Sequence, residues 1–210
     1  MAYDFEEQEK LDALRDWWAQ YGTIIVTLAF VAMAAVLGWR GWQWYQNHQA
    51  TQAMGYFEAL ESAAAQSDEE AIARVQAASA TLREDFPKSG YTSRGVLIAA
   101  QSLARNGDLD GAAAQLKWLI QNSADEAMVQ LAHLRLAGVL FEQKNYDAAL
   151  EQLANPSPAF EALYADRRGD ILQAQGKTDE AVREWERALA GLQGNPLAQI
   201  VQIKLDALGA

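Results

Sequence analysis

The chain contains no cysteine, which excludes disulfides, thiolate zinc sites, iron–sulfur clusters and cysteine nucleophiles together while leaving the redox compartment open. Histidine is nearly absent as well. His48 and His133 stand 85 positions apart, so the usual imidazole chemistry of metal sites and proton transfer has almost nothing to work with. Each reads better as helix packing than as a ligand. Basic residues are outnumbered, 17 against 28 acidic, giving a net charge of −11 and a sequence pI of about 4.6. That balance argues against a nucleic-acid grip, because neutralising phosphates requires clustered Lys and Arg. The acidic runs Asp68-Glu69-Glu70 and Asp125-Glu126 read as helix starts. Glu184 and Glu186, flanking Trp185, point to different sides of a helix, so they do not form a carboxylate pair for acid–base work. No G-x-x-x-x-G-K, G-x-S-x-G or H-E-x-x-H occurs. The chain is expected to be non-enzymatic, with no catalytic residue, no cofactor and no metal site. With four prolines, at 87, 156, 158 and 196, long stretches are left open to helix.

What is abundant is apolar residues, half of the 210, and they are unevenly spread. From Trp17 to Trp39 there are 23 consecutive residues without a charge. As a helix this run would measure about 35 Å, against a bilayer hydrocarbon core of about 30 Å. Aromatic residues crowd both ends: Trp17, Trp18 and Tyr21 before the aliphatic stretch, Trp39, Trp42, Trp44 and Tyr45 after it. Amphipathic rings settle at headgroup depth, so two such clusters one bilayer apart mark a membrane belt. A buried core helix has no need of tryptophan at both ends, and a cleaved signal peptide would carry a short basic leader where this one is long and acidic. An uncleaved anchor is expected. Lys10 and Arg15 precede the span and Arg40 follows it, which favours a cytoplasmic N-terminus. The domains read as an acidic cytoplasmic tail at 1–16, a transmembrane helix with aromatic belts at 17–45, and a soluble part at 46–210. The soluble part holds 14 basic and 22 acidic side chains, so anionic headgroups would repel it.

Beyond Tyr45 the spanning helix is expected to continue, with Met54, Phe57 and Leu60 on one face. Ser67 with Glu70 reads as a capping box opening a second helix whose apolar side is Ile72, Val75 and Leu82, closed by Phe86-Pro87. Three later stretches then repeat one another: Asn106 to Ala112, Lys144 to Ala149 and Gly176 to Ala181. Aligned on Ala112, Ala149 and Ala181 they lie 37 and 32 residues apart, bracketing the roughly 34-residue period of tetratricopeptide repeats. Twelve positions upstream stand Ala100, Ala137 and Gly169, where two antiparallel helices must approach closely. The bulky columns are Leu103, Leu140 and Leu172 and, four residues downstream of the aligned alanines, Leu116, Leu153 and Trp185. Asp110, Asp147 and Asp179 near the end of each motif are expected to cap the second helix of each pair. Arg168 is charged where a leucine is usual, and Pro156 interrupts the second repeat's return helix. A final helix from Pro196 to about Leu208, with Leu197, Ile200, Val201 and Leu208 on one side, would close the stack. The expected fold is all-α: one N-terminal transmembrane helix followed by a tetratricopeptide-like repeat domain of about four helical hairpins and a C-terminal capping helix.

Such arrays bind extended peptides or partner helices on the surface formed by the first helix of each pair. The general groove positions of tetratricopeptide repeats, placed on this register, nominate Arg94, Gln101, Arg105, Arg135, Asp166, Arg167, Asp170 and Gln173. As a set they carry mixed charge, suited to polar contacts rather than to one strong anion.

Over nearly its whole length the chain resembles the YfgM family, ancillary subunits of the bacterial Sec translocon. The residues that carry the resemblance are the Trp17-Trp18 pair, the span ending in Gly38-Trp39-Arg40-Gly41-Trp42, the segment Leu134-Arg135-Leu136-Ala137, and Ala165-Asp166-Arg167-Arg168-Gly169-Asp170. The resemblance implies a single-pass inner-membrane protein with its repeat domain in the periplasm. It further implies association with the SecYEG translocon and with the membrane-anchored prolyl isomerase PpiD, and reception of secreted or membrane clients as they emerge. The leading expectation is a chaperone-like adaptor. The alternative is an anchored tetratricopeptide scaffold for a different cell-envelope assembly complex.

Overall fold

The computed structural model describes residues 3–66 and 68–209, with side chains from residue 8 onward. Among the described residues there are nine helices and no strand: α1 (Tyr3–Ala64), α2 (Glu69–Asp85), α3 (Gly90–Arg105), α4 (Leu109–Asn122), α5 (Glu126–Glu142), α6 (Tyr146–Gln152), α7 (Glu161–Ala174), α8 (Thr178–Gly191) and α9 (Leu197–Asp206). The chain divides into two compact units, residues 1–50 and 51–210.

In the first unit, α1 is apolar on every side and almost uncovered. Ile24, Leu28, Phe30, Val31 and Leu37 are all exposed, which no core helix of a water-soluble protein tolerates. Among the described residues it is the one helix long and apolar enough to cross a membrane. The seven belt aromatics, Trp17, Trp18, Tyr21, Trp39, Trp42, Trp44 and Tyr45, are likewise exposed. They associate among themselves, with ring centroids 5.8 Å apart for Trp17 and Tyr21 and 5.7 Å for Trp39 and Trp42. Trp18 and Trp39 are separated by about 32 Å of helix rise, close to one hydrocarbon thickness.

The second unit begins inside α1. Its packing stripe runs through Ala53, Phe57, Leu60 and Ala64 against Val75, Leu82, Phe86 and Ala99, whereas Met54 is exposed. The expected face through Met54 is therefore displaced by one residue, because spacing of four, three and four tracks a 3.6-residue turn better than successive threes. Helix α2 is capped by Asp68, whose Oδ1 accepts the Ala71 N–H at 2.8 Å; Ser67, the expected cap, lies outside the described residues. Asp125 does the same for α5, accepting the Ala127 and Met128 N–H groups.

Helices α3/α4, α5/α6 and α7/α8 form three successive hairpins, and each first helix also touches the next, α3 to α5 and α5 to α7. The aligned small residues Ala100, Ala137 and Gly169, and Ala112, Ala149 and Ala181, are all buried. Between them sit Leu103, Leu140, Leu172, Leu116, Leu153 and Trp185, none more than 8% exposed. Removing such a side chain from water is worth about 1.5–3 kcal/mol each, which is what holds the array together.

The three hairpin turns are built alike. The N–H groups of Asp108, Asn145 and Lys177 donate to the carbonyls of Leu103, Leu140 and Leu172, the bond that seals a helix ending on a left-handed residue. That residue is Gly107 (φ 84°), Lys144 (φ 60°) and Gly176 (φ 78°). Of the expected capping aspartates none caps. Asp110, Asp147 and Asp179 each occupy the second residue of their helix, and only Asp108, one residue before α4, accepts a capping N–H, from Gly111 at 2.8 Å. The second-residue carboxylates still favour the helix dipole. Two of them also join repeats: Gln143 Nε2 donates to Asp110 and Gln175 Nε2 to Asp147, at 2.8 and 3.0 Å. Helix α9 closes the stack on Val201 and Leu205, while Leu197, Ile200 and Leu208 are exposed. The expected face is thus rotated toward α8 and α7, the helices α9 packs against.

Lys144 is the one left-handed non-glycine among the described residues, and its Cβ strain recurs in no other turn. Lys144→Gly should stabilise the protein by about 0.5–1 kcal/mol, and Gly176→Ala should destabilise it by about 1–2 kcal/mol. Thermal unfolding of the detergent-solubilised chain reads both.

A candidate protein-binding groove

Helices α3, α5 and α7 are the first helices of the three hairpins, and their side chains bound an open groove of about 620 Å³. Ala100 and Ala104 of α3, Leu131, Leu134, Gly138 and Val139 of α5, and Leu116 of α4 make its floor. The helical period puts them there: positions four apart on α3, and three and four apart on α5, share one side. Its rim is Gln101, Arg105, Arg135, Glu142 and Arg167. Four of the eight nominated residues, Gln101, Arg105, Arg135 and Arg167, therefore meet at one place. Arg94 is exposed on the same helix about three turns before Arg105 and outside this lining.

The other three nominated residues have different surroundings. Asp166 and Asp170 face each other across one turn of α7 and both accept from Lys204 Nζ of α9, at 2.6 and 2.5 Å. The ammonium also lies 5.7 Å from the centroid of the Trp185 ring, and Trp185 Nε1 donates to Asp170 at 3.2 Å. Gln173 is half-buried, and its Oε1 is buried without a partner. Asp166 and Asp170 pair with Lys204 outside the groove lining, and the rim itself holds Arg105, Arg135 and Arg167 against Glu142, a net positive charge.

The segment Ala165-Asp166-Arg167-Arg168-Gly169-Asp170 is a junction between four helices. Ala165 is fully buried, and Gly169 lies so close to the Trp185 indole that a Cβ there would stand 2.5 Å from the ring. Arg168 grips Glu184 of α8 through Nε and Nη2, both at 2.8 Å, and donates from Nη1 to the Leu153 carbonyl at 3.0 Å. That carbonyl ends α6, which is only seven residues long. With prolines at 156 and 158 the chain cannot continue the helix, so a guanidinium from the next hairpin satisfies the orphaned C-terminal group. The charge at position 168, anomalous for a repeat, is explained by the truncated helix beside it. Arg167 alone of this segment is left to the groove, with a long ion pair to Asp170 at 3.8 Å.

The loop between α6 and α7 is pinned from α5. Gln130 Oε1 accepts the Ser157 N–H at 3.2 Å, and the Gln130 carbonyl accepts the Tyr164 hydroxyl at 2.7 Å. Tyr164 is 1% exposed, and burial pushes its pKa up to about 12. His133 is half-buried with its Nδ1 3.0 Å from Gln152 Oε1, a packing role, and His48 stacks on Trp44. Among the described residues no cluster of three metal-ligating side chains occurs. The nomination of positions missed the groove floor, Ala104, Leu131, Leu134 and Gly138, although each lies within four residues of a nominated side chain. It also missed Lys204, because nothing local to the last helix reports what lies across from it.

Three comparisons place these features. Residues 15–210 match a tetratricopeptide repeat-like domain family. A protein from Neisseria gonorrhoeae is 32% identical over 99% of this chain and all of its own length. Proteins from Haemophilus influenzae and Escherichia coli are 29% and 28% identical, over 99% and 96% of this chain and 100% and 96% of theirs. All three relatives are named ancillary SecYEG translocon subunits.

The buried phenol generates a pH-dependent prediction. An unfolded tyrosine ionises near 10 and the folded Tyr164 at about 12, so its contribution is complete below pH 10 and is lost as pH rises toward 12. Tyr164→Phe should cost about 1 kcal/mol at neutral pH through the lost hydrogen bond. The gap in unfolding midpoint between the two proteins should close between pH 10 and 12.

Proposed function

The chain belongs to the family of ancillary SecYEG translocon subunits with a tetratricopeptide repeat-like domain, and on that premise we propose that it is a membrane-anchored adaptor of the Sec translocon that captures clients through its repeat domain. In this reading the N-terminus is cytoplasmic, one helix crosses the inner membrane, and the repeat domain stands in the periplasm. PpiD and secreted or membrane proteins emerging from SecYEG are its partners, and its work is binding, not catalysis. The observation that carries the reading is correspondence from end to end: the relatives align over anchor and repeats together, at their full lengths.

Two features support the mechanism. A groove with an apolar floor and charged rim suits weak, adaptable contact with unfolded segments. Tethering beside the exit site raises the effective concentration, so low affinity is sufficient. The alternative, a scaffold for a different envelope complex, uses the same anchor and groove for one fixed partner. Crosslinking in native membranes separates the two by whether SecY or another protein dominates.

A C-terminal reporter active only outside the cytoplasm should report a periplasmic C-terminus, and a cytoplasmic result would overturn the proposal. Reversing charge at Arg94, Arg105 and Arg135 together should lower client capture in a pull-down severalfold while leaving SecY crosslinking intact. Undiminished capture would rule the groove out as the client site.

A further inference from the structure

Carboxylates outnumber basic side chains in this chain, 28 against 17, and several of the cations are held in ion pairs. Arg15, Arg74, Arg167, Arg168, Arg187 and Lys204 each have a carboxylate within 4 Å. Arg105 and Arg135 do not: both are exposed, and among the described residues neither has an ion pair or hydrogen bond. Both stand on the rim of the same groove. Arg105 ends α3, where a helix C-terminus favours a cation. Arg135 sits in the middle of α5, where no such field exists. The one acid on the rim, Glu142, is two turns away on α5 and pairs with neither.

Among the groove-lining residues Glu142 stands against Arg105, Arg135 and Arg167, so the rim carries a net positive charge. Asp166 and Asp170, on the α7 side, both pair with Lys204 and do not line the groove. Between the arginines the floor is uninterruptedly apolar: Ala104, Leu131, Leu134 and Gly138. A volume of about 620 Å³ admits a few residues of chain rather than a folded surface.

We propose that this groove selects peptide segments in which apolar residues alternate with or adjoin carboxylates, with Leu131 and Leu134 receiving the apolar side chain and Arg105 and Arg135 the acidic ones. The proposal rests on the reading of the groove as the client site and names which clients it prefers. Guanidinium–carboxylate pairing at the rim supplies orientation and bidentate geometry, and the apolar floor supplies sequence-tolerant affinity.

The test uses the full chain in detergent and two fluorescent twelve-residue peptides, one alternating leucine with glutamate and one alternating leucine with lysine. The acidic peptide should bind at least about tenfold more tightly, with an affinity that falls as salt is raised. The double variant Arg105→Glu/Arg135→Glu should lose that preference and favour the basic peptide. Both side chains are exposed, so the variant should retain its helical circular dichroism and unfolding midpoint. Arg105→Gln/Arg135→Gln should bind both peptides alike. Equal binding of the two peptides by the parent protein, or a preference unmoved by charge reversal, overturns the proposal. A photo-crosslinking residue at Leu134 during translocation then tests the underlying reading separately. Absence of client adducts there removes the groove as a client site, whatever the peptides show.

Discussion

Close approach between antiparallel helices is the constraint on which the repeat domain depends. A helix pair of this length cannot bury its apolar stripe alone, and two such pairs can stack only where side chains at the crossing are small. Ala100, Ala112, Ala137, Ala149, Gly169 and Ala181 meet that requirement and are buried throughout. Gly169 is the extreme case, since the bulky residue opposite it is the indole of Trp185, and no Cβ could be accommodated without moving that ring. Everything that positions the groove follows. Once α3, α5 and α7 lie side by side, their outward residues at four-residue spacing form a floor and a rim.

Where the repeat departs from its own pattern, another contact compensates. Prolines at 156 and 158 end α6 after seven residues, and Arg168 replaces an apolar packer with a guanidinium that closes that helix's last carbonyl and holds Glu184. Gln130 ties down the loop that results. Helix α9 is fastened to the stack by Lys204, which reaches two aspartates of α7. The same contact pairs two α7 carboxylates that do not line the groove.

The membrane-crossing run, the fold class and the three repeat columns were legible in the sequence because each rests on periodicity or composition along one stretch of chain. The anchor needs only length and the absence of charge between two tryptophan clusters. The columns need only the recurrence of alanine and leucine at matching offsets. Local cap chemistry was less legible. Asp110, Asp147 and Asp179 look like caps, yet each sits one turn-position inside its helix, because the left-handed turn ends two residues earlier than the acidic motif suggests. The stripe of α1 takes Ala53 in place of Met54, and α9 buries Leu205 beside Val201 in place of Leu197, Ile200 and Leu208, since spacing alone does not say which neighbour a short amphipathic segment will meet.

Sequence by itself therefore determined that this is an anchored helical repeat protein with nothing resembling a catalytic motif, since those properties are sums over neighbouring residues. It also identified eight positions on the first helices as a set. Only the tertiary structure decided which of them act together. Arg105, Arg135, Arg167 and Gln101 converge on one groove, while Asp166 and Asp170 are spent on a lysine 38 and 34 positions away. A side chain's free charge depends on what stands across from it in space, and no local pattern records a partner supplied by a distant helix.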